Sequence, residues 1–212
     1  EDHVASLEHG KFGFAFSSGM AAISSVLRLL RSGDTIVVGR DTYGGTYRLL
    51  HKVLDRYSIR VVHVDTRDLG AVEAVLVSGV KGVFLESPTN PLMEVTDIRA
   101  VASLAHRYGA WLAVDNSMLS PWLQNPLLLG ADIVVHSGTK HLSGHSDLCA
   151  GIVITNSQEI ADEVGFLQNA EGNALSPFES WLLLRGIKTL GLRIERQQST
   201  AETLARQLSA HS

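Results

Sequence analysis

The sequence predicts an α/β domain with a mostly parallel β-sheet, and three observations support this prediction. Short apolar runs alternate with longer amphipathic stretches, which is the order of strands and helices in this class of fold. Several of the short runs are almost continuous in Val, Ile and Leu, as strands buried on both faces should be, and residues 35–38 (TIVV) are one example. The chain has 212 residues, of which 45% are apolar, and this is enough for a sizeable core.

Six strands and six helices follow from these patterns. The strands are predicted at residues 35–38, 59–64, 82–86, 110–115, 132–136 and 151–155. Helices are predicted between them at about residues 20–31, 46–57, 68–78, 97–108 and 158–168. A last, long helix is predicted from residue 187 to about 210, because its apolar residues recur mostly at steps of three and four. These residues are Ile187, Leu190, Ile194, Ala201, Leu204, Ala205 and Leu208.

The charge and the cysteine content narrow the possible partners and the compartment. The net charge is −4, from 18 basic and 22 acidic side chains without a basic stripe, so nothing favours nucleic acid or an anionic membrane surface. No apolar stretch is long enough to span a membrane. Cys149 is the only cysteine, which excludes an intrachain disulfide and fits a reducing compartment. We therefore expect a cytoplasmic protein.

Chemically active residues follow the predicted strands. In an open parallel sheet, ligands bind beyond the carboxyl ends of the strands. Lys140 follows the fifth strand in HSGTKHLSGHSD, and Asp115 ends the fourth in AVDNSMLSP. Asn90 follows the third strand in ESPTNP. Tyr43 follows the first strand in TYGGTY, and Gly19 stands at the start of a predicted helix in SSGMAA.

Each of these segments also has a purely structural interpretation. SSGMAA could be a helix N-cap without a ligand, TYGG a plain glycine-rich turn, and SPTNP a structural turn with two prolines. A lone Asp115 caps a turn more often than it catalyses. His136, His141 and His145 suggest a metal, but their spacings of five and four residues match no strong zinc pattern and no cysteine pair joins them. We therefore predict no metal site and interpret the three histidines as packing and loop-shaping residues.

Taken together, the segments point to one cofactor. A lysine, a carboxylate, a tyrosine, the hydroxyls of Ser137 and Thr139 and a helix-opening glycine converge on one predicted rim. The lysine amine can bind an aldehyde, a carboxylate can keep a pyridine nitrogen protonated, and a tyrosine can cover an aromatic ring. Hydroxyls and helix N–H groups can hold a phosphate. This set predicts pyridoxal 5'-phosphate.

Five segments resemble the Cys/Met-metabolism pyridoxal-phosphate enzymes, which include cystathionine β-lyase, cystathionine γ-lyase, cystathionine γ-synthase and methionine γ-lyase. The segments are SSGMAAISSVL, DTYGGTYR, ESPTNPLMEVTDI, AVDNSMLSPWLQNPLLLGADIVVHSGTKHLSGHSD and LLLRGIKTLGLRIERQQ. The resemblance covers nearly the whole chain in order, and SGTKHLSGHSD with its upstream VDN and RGIKTLGLR are its most specific parts. It implies the large domain of fold-type I (aspartate-aminotransferase-like) enzymes, with a mostly parallel sheet of about seven strands flanked by helices.

The resemblance also implies roles for the matching residues. Lys140 would bind the cofactor and move the Cα proton of the substrate, and Asp115 would pair with the ring nitrogen. Tyr43 would stack on the ring and help to move protons, and Asn90 would lie near the cofactor's phenolic oxygen and the substrate carboxylate. The phosphate would be held by Gly19, Met20, Ser137 and Thr139.

Glycines near the lysine have an implied role as well. They would let the backbone pass close to the cofactor and to a partner subunit. These glycines are Gly138, Gly144 and Gly151. The usual SATK of the family is SGTK here, so Gly138 could loosen the loop.

We expect the sequence to be part of a longer chain. Residues 1–186 would form the pyridoxal-phosphate-binding large domain, and residues 187–212 would lead to a C-terminal small domain that is absent from this chain. The resemblance places two further parts outside it: an N-terminal segment that reaches the neighbouring subunit's phosphate, and an arginine that binds the substrate carboxylate. It also implies a homo-oligomer, a dimer of dimers, that acts on a small sulfur amino acid.

The most specific prediction is β-elimination of cystathionine to homocysteine, pyruvate and ammonia. DNSMLSP and FLQNAEGNALSPFESWLLLRGIKTLGLRIERQQ most resemble the plant and bacillus-type cystathionine β-lyases. γ-Lyase, γ-synthase and methionine γ-lyase activities are alternatives, and so is a cofactor-binding chain without turnover. A plain nucleotide-binding domain is disfavoured, because no GxGxxG motif follows the first strand.

Overall fold

A computed structural model describes residues 1–211, and these contain a seven-stranded sheet with helices on both faces. The strands are β1 (Phe12–Phe16), β2 (Thr35–Gly39), β3 (Arg60–Val64), β4 (Gly82–Glu86), β5 (Trp111–Asp115), β6 (Ile133–Ser137) and β7 (Gly151–Thr155). Their order in the sheet is β1-β7-β6-β5-β4-β2-β3. Strands β2 to β6 run parallel, whereas β7 is antiparallel to both β6 and β1. The predicted α/β class with a mostly parallel sheet is confirmed.

The helices lie mostly between consecutive strands. They are α1 (Asp2–Leu7), α2 (Gly19–Leu27), α3 (Gly44–Arg48), α4 (Leu69–Leu76), α5 (Ile98–Arg107), α6 (Ser120–Leu123), α7 (Gln158–Glu171), α8 (Pro177–Ile187) and α9 (Leu190–Ser209). A π-helical segment (Leu49–Val53) and a 3-10 turn (Leu54–Tyr57) continue α3, and a 3-10 turn (Pro126–Leu129) follows α6. Within residues 1–211, none of the helices is both long enough and apolar enough to cross a membrane.

Both faces of the sheet are buried, and this explains the continuous apolar runs in the sequence. Successive strand residues face opposite sides. Ile36 and Val38 pack in one apolar cluster with α2 and α7, and we call this side of the sheet the α2 face. Val37, which lies between them, packs on the other side with α4 and α5. Further along the sheet, Val134 of β6 packs on that second side against α1, α8 and α9.

Several elements differ from the prediction. Strand β1 (FGFAF) was missed, and it pairs only with β7, more than a hundred residues away in the sequence. Helix α8 was also missed, and the long helix begins at Leu190, since Lys188 and Thr189 separate it from α8. Ile187, which was assigned to the long helix, is the last residue of α8. The helix predicted at residues 46–57 is helical throughout, but only its beginning is α-helical.

Candidate active site

Three strand-end side chains share the α2 face at the carboxyl edge of the sheet. Glu86 ends β4, Asp115 ends β5 and Ser137 ends β6. Each lies two positions after a strand residue that packs in the α2 cluster, and side chains two positions apart on a strand share a face. Those cluster residues are Phe84, Ala113 and Val135. The sheet therefore brings two carboxyl groups and one hydroxyl to the place where α2 begins.

The first turn of α2 lies directly against the end of β6. Ser18 caps the helix by accepting a hydrogen bond from the Ala21 N–H at 3.1 Å, so the N–H groups of Gly19 and Met20 have no partner within the helix. A Cβ on Gly19 would lie 3.0 Å from the Cβ and 3.1 Å from the Oγ of Ser137. The glycine thus permits a close approach that places two unpaired N–H groups beside the Ser137 hydroxyl, an arrangement suited to a phosphate.

The loop after β2 brings Tyr43 to the same region. A Cβ on Gly45 would overlap the Tyr43 ring and would lie 2.7 Å from the Sδ of Met20, so the loop packs on the first turn of α2. The Tyr43 N–H donates to Glu86 Oε1 at 2.8 Å, and the backbone N–H of Asn90 interacts with the same carboxyl group. Tyr43 is 45% exposed, which leaves ring surface free to cover a ligand.

Lys140 lies in an exposed turn directly after β6. Its N–H donates to the Ser137 carbonyl at 3.1 Å, and its ammonium group makes no ion pair within residues 1–211. The neighbouring Thr139 hydroxyl accepts from the Ala150 N–H at 3.0 Å and lies 3.3 Å from the Ala150 carbonyl oxygen. In this structure Thr139 therefore fixes the turn, whereas the Ser137 hydroxyl makes no hydrogen bond to the described residues.

Arg193 of α9 holds the loop that follows the lysine. Its Nη1 donates to the His141 carbonyl at 2.8 Å, and its Nη2 donates to the carbonyls of Leu142 at 3.3 Å and Gly186 at 3.0 Å. The guanidinium fills the space that a side chain on Gly144 would need, and the φ of Gly144 is +71°. The RGIKTLGLR segment thus belongs to the same site as the lysine loop.

The two other glycines near the lysine also make close approaches within this chain. A Cβ on Gly151 would overlap the Ser18 carbonyl, which belongs to the residue that caps α2. A Cβ on Gly138 would lie 2.9 Å from that of Ala150. Both glycines therefore let the lysine turn and the start of α2 pack on β7.

The carboxyl groups at this rim repel one another, and none of them lies in an ion pair within residues 1–211. Burial raises the pKa of Asp115, although hydrogen bonds from Ser117 and the charge of His136 oppose this effect. Burial, the charge of Asp115 and the charge of Asp41 raise the pKa of Glu86 to about 8. None of the three carboxyl groups forms an ion pair with another described residue. We call Asp41, Glu86 and Asp115 the carboxylate rim, and it is suited to a bound cation.

His136, His141 and His145 each interact with other residues of the chain. His136 faces the side of the sheet opposite Asp115, and its Nε2 lies 2.7 Å from Glu8 Oε1, with both side chains fully buried. Asn116 donates to the same Glu8 oxygen at 2.8 Å. Burial and the charge of Arg193 lower the pKa of His141, and His145 bonds the Ser143 carbonyl through Nδ1. Residues 1–211 contain no group of three or more His, Cys, Asp or Glu side chains placed to hold a metal ion.

These residues fit pyridoxal phosphate on two observations. The unpaired N–H groups of α2 beside Ser137 can hold a phosphate, and the carboxylate rim can hold a protonated ring nitrogen. The contacts described above connect most of the predicted site residues into one cluster. These are Gly19, Met20, Tyr43, Asn90, Asp115, Ser137 and Lys140. Thr139 belongs to the same turn, with its hydroxyl directed to Ala150.

Comparisons with known proteins identify the family. A model of the Cys/Met metabolism PLP-dependent enzymes matches residues 1–212. A cystathionine gamma-lyase of Bacillus subtilis is 49% identical over 98% of this chain and 55% of its own, and the chloroplastic cystathionine beta-lyase of Arabidopsis thaliana is 49% identical over 100% of this chain and 46% of its own. A crystal structure of cystathionine gamma-lyase from Lactobacillus plantarum complexed with L-serine superimposes with a TM-score of 0.96 at 48% identity, over 98% of this chain and 55% of its own.

The fold and the site define a pyridoxal-phosphate enzyme of fold type I. The chain belongs to the Cys/Met metabolism PLP-dependent enzyme family, so the resemblance inferred from the motifs and the predicted cofactor are confirmed. The chain spans about half the length of the curated relatives it matches.

Sequence reasoning missed three residues that support the site. Glu86 stands at a predicted strand end, but its segment ESPTNP was examined only as a turn and for Asn90. Arg193 lies in a recognised motif without any local sign of its target, because its partners in the lysine loop, the carbonyls of His141 and Leu142, are 52 and 51 residues away. Nothing in the sequence around Glu8 indicated its role, because its partner His136 is 128 residues away.

Proposed function

We propose that this chain carries the cofactor site of a carbon–sulfur lyase that cleaves cystathionine by β-elimination, with pyridoxal phosphate as cofactor. One observation carries the proposal: the exposed Lys140, which forms no ion pair with a described residue, follows β6, and the next two strands of the sheet on one side, β5 and β4, end in carboxyl groups that also form none. An amine beside a phosphate cradle and a carboxylate rim is what an aldehyde cofactor with a cationic ring requires.

Each residue of the proposed site has a separate role. When bound, pyridoxal phosphate supplies an electron sink for the pair of electrons left after a Cα–H bond breaks. Lys140 would hold the cofactor through Nζ and, once the substrate amine has replaced it there, would take the Cα proton at the same Nζ. Asp115 would keep the ring nitrogen protonated, and Tyr43 would cover the ring and exclude water from it. Gly19, Met20 and Ser137 would fix the phosphate.

Loss of homocysteine from Cβ and hydrolysis of the remaining three-carbon unit give pyruvate and ammonia, so cystathionine and one water are fully accounted for. The choice of β-elimination rests on the likeness of DNSMLSP and of residues 166–198 to plant and bacillus-type β-lyases. Overall identity favours neither course, because the relatives named gamma-lyase and beta-lyase are equally similar at 49%.

We further propose a domain organisation, an assembly state and a compartment for the whole protein. Residues 1–186 form the cofactor-binding domain, and residues 187–212 lead to a small domain that completes the substrate site. The protein assembles as a homo-oligomer built from dimers and works in the cytoplasm. Relatives of about twice this length and the exposed second half of α9 support the further domain.

The test is the keto acid released from cystathionine by the protein at its full natural length, with pyridoxal phosphate supplied. We expect pyruvate. 2-Oxobutyrate would show cleavage on the other side of sulfur and replace β-lyase with γ-lyase. Bound cofactor without any keto acid would contradict turnover of cystathionine and leave the cofactor-binding interpretation.

A further inference from the structure

Glu86 joins two loops of the site through one carboxyl group. It ends β4 and is only 7% exposed. Its Oε1 accepts the Tyr43 N–H at 2.8 Å, and the Asn90 N–H interacts with the same group. The loop after β2 and the loop after β4 therefore share one anchor, and each carries a residue of the proposed cofactor site.

The same carboxyl group lies close to other acids. Glu86 and Asp115 are register partners on the parallel strands β4 and β5, so their side chains start from adjacent positions on the α2 face. Asp41 adds a third acid from the loop after β2. These two acids are the titratable groups that act on Glu86, and its other partners are the two backbone N–H groups.

Without a bound cation, Glu86 therefore holds a proton near neutral pH. Burial is the largest cause, the charges of Asp115 and Asp41 add to it, and together they raise the pKa of Glu86 to about 8 although the two N–H groups lower it. A positive charge placed beside Asp115 has the opposite effect, because it favours the ionised form of a neighbouring carboxyl group.

We propose that Glu86 is a positioning residue. It loses its proton when the cofactor's cationic ring binds beside Asp115, and its hydrogen bonds to the Tyr43 and Asn90 loops then become stronger. The bond that breaks is the O–H of the Glu86 carboxyl group, and the proton passes to solvent. Hydrogen bonds to an ionised acceptor are shorter and about twice as strong as those to a neutral one, so the two loops close on the ring. This inference rests on the proposed use of pyridoxal phosphate.

The experiment titrates pyridoxal phosphate into the cofactor-free protein at full natural length and measures two quantities besides activity. Calorimetry in buffers of different ionisation enthalpy counts the protons released, and hydrogen exchange follows the Tyr43 and Asn90 amides. Glu86→Gln keeps the shape and an acceptor oxygen but cannot ionise. Glu73→Gln is the matched control, because Glu73 accepts side-chain hydrogen bonds from Tyr108 and Arg107 on the second side of the sheet.

Below pH 8 the wild type and the Glu73→Gln control should release up to about one proton more than Glu86→Gln. Their affinity for pyridoxal phosphate should rise more steeply with pH over that range, by at most about tenfold per pH unit, and level off above it. Both amides should gain protection on binding in the wild type and less in Glu86→Gln. Glu86→Asp, which keeps the ionisable group and shortens its reach, should restore proton release without restoring protection at Tyr43.

Two results would overturn the inference, and only the second would also contradict the proposed use of pyridoxal phosphate. Equal proton counts and equal protection in the wild type and Glu86→Gln, with cofactor bound by both, would overturn the role of Glu86 alone. No binding by the wild type would overturn this role together with the proposed use of the cofactor. A Glu86→Gln protein that fails to fold leaves the wild-type pH dependence and the Glu86→Asp variant to decide.

Discussion

At the scale of single residues, the proposed site consists largely of groups that lack a partner within residues 1–211. Lys140 has no counter-ion, the Ser137 hydroxyl has no acceptor, and the first N–H groups of α2 are unpaired among the described residues. Because these groups have no partner among the described residues, they remain available to a ligand at this rim. Glu86 differs, because its carboxyl group accepts the Tyr43 N–H at 2.8 Å and burial is the largest cause that raises its pKa to about 8.

Substitution of Lys140 tests whether this single side chain holds the cofactor and moves the Cα proton. We expect Lys140→Ala to lose at least about 10²–10⁴-fold in keto acid formation, because the group that moves the Cα proton is gone. It should also lose the absorption band of lysine-bound cofactor, measured by spectrophotometry, while its circular dichroism stays unchanged. Lys81→Ala is the control, since Lys81 is an exposed lysine that precedes β4. A Lys140→Ala protein that kept both activity and band would remove Lys140 from the chemistry.

At the scale of secondary-structure elements, close packing sets the geometry. Helix α2 begins within contact of β6 and β7 because Gly19 and Gly151 carry no side chain. The lysine loop is held in turn by Arg193 from α9, whose guanidinium bonds two carbonyls of that loop and one at the end of α8. The long helix therefore has a direct structural connection to the loop that follows Lys140.

Removal of that connection should have a measurable cost. We expect Arg193→Gln to lower the free energy of unfolding by about 2–4 kcal/mol, because it leaves partly buried carbonyls without a charged donor. Denaturant unfolding measures the change, and Arg196→Gln on the exposed part of the same helix should shift it by less than about 0.5 kcal/mol. Equal effects of the two substitutions would mean that the contacts with the lysine loop contribute nothing specific.

At the scale of the whole molecule, only the first half of the apolar stripe of α9 is buried. Leu190 and Ile194 are buried against α1 and α8, whereas Leu204 is 51% and Leu208 is 70% exposed. An apolar stripe of this length on one helix favours a partner along its second half. The proposed small domain of the same protein suits that position.

Charges on the stripe test this arrangement in the protein at full natural length. We expect the double substitution Leu204→Glu and Leu208→Glu to lower the melting temperature by several degrees, because about 1–3 kcal/mol of apolar burial is lost for each side chain. Gln207→Glu, on the same part of the helix, adds a charge without removing an apolar contact and serves as the control. An unchanged melting temperature in the double variant would show that this half of α9 stays in solvent.

Strand and helix positions were predictable because they depend on local periodicity, and the motifs around Lys140, Asp115 and Gly19 predicted a cofactor site at the strand ends. The sequence by itself determined the α/β class, six of the seven strands, the family and the cofactor, since each of these depends on residues close together in the chain. Only the tertiary structure decided that Thr139 supports the turn, that Arg193 holds the lysine loop, and that Glu86 lies beside Asp115 and Tyr43. The physical reason is that hydrogen bonds and charge interactions act through space, and Glu86, Tyr43 and Asp115 become neighbours only once the parallel strands are in register.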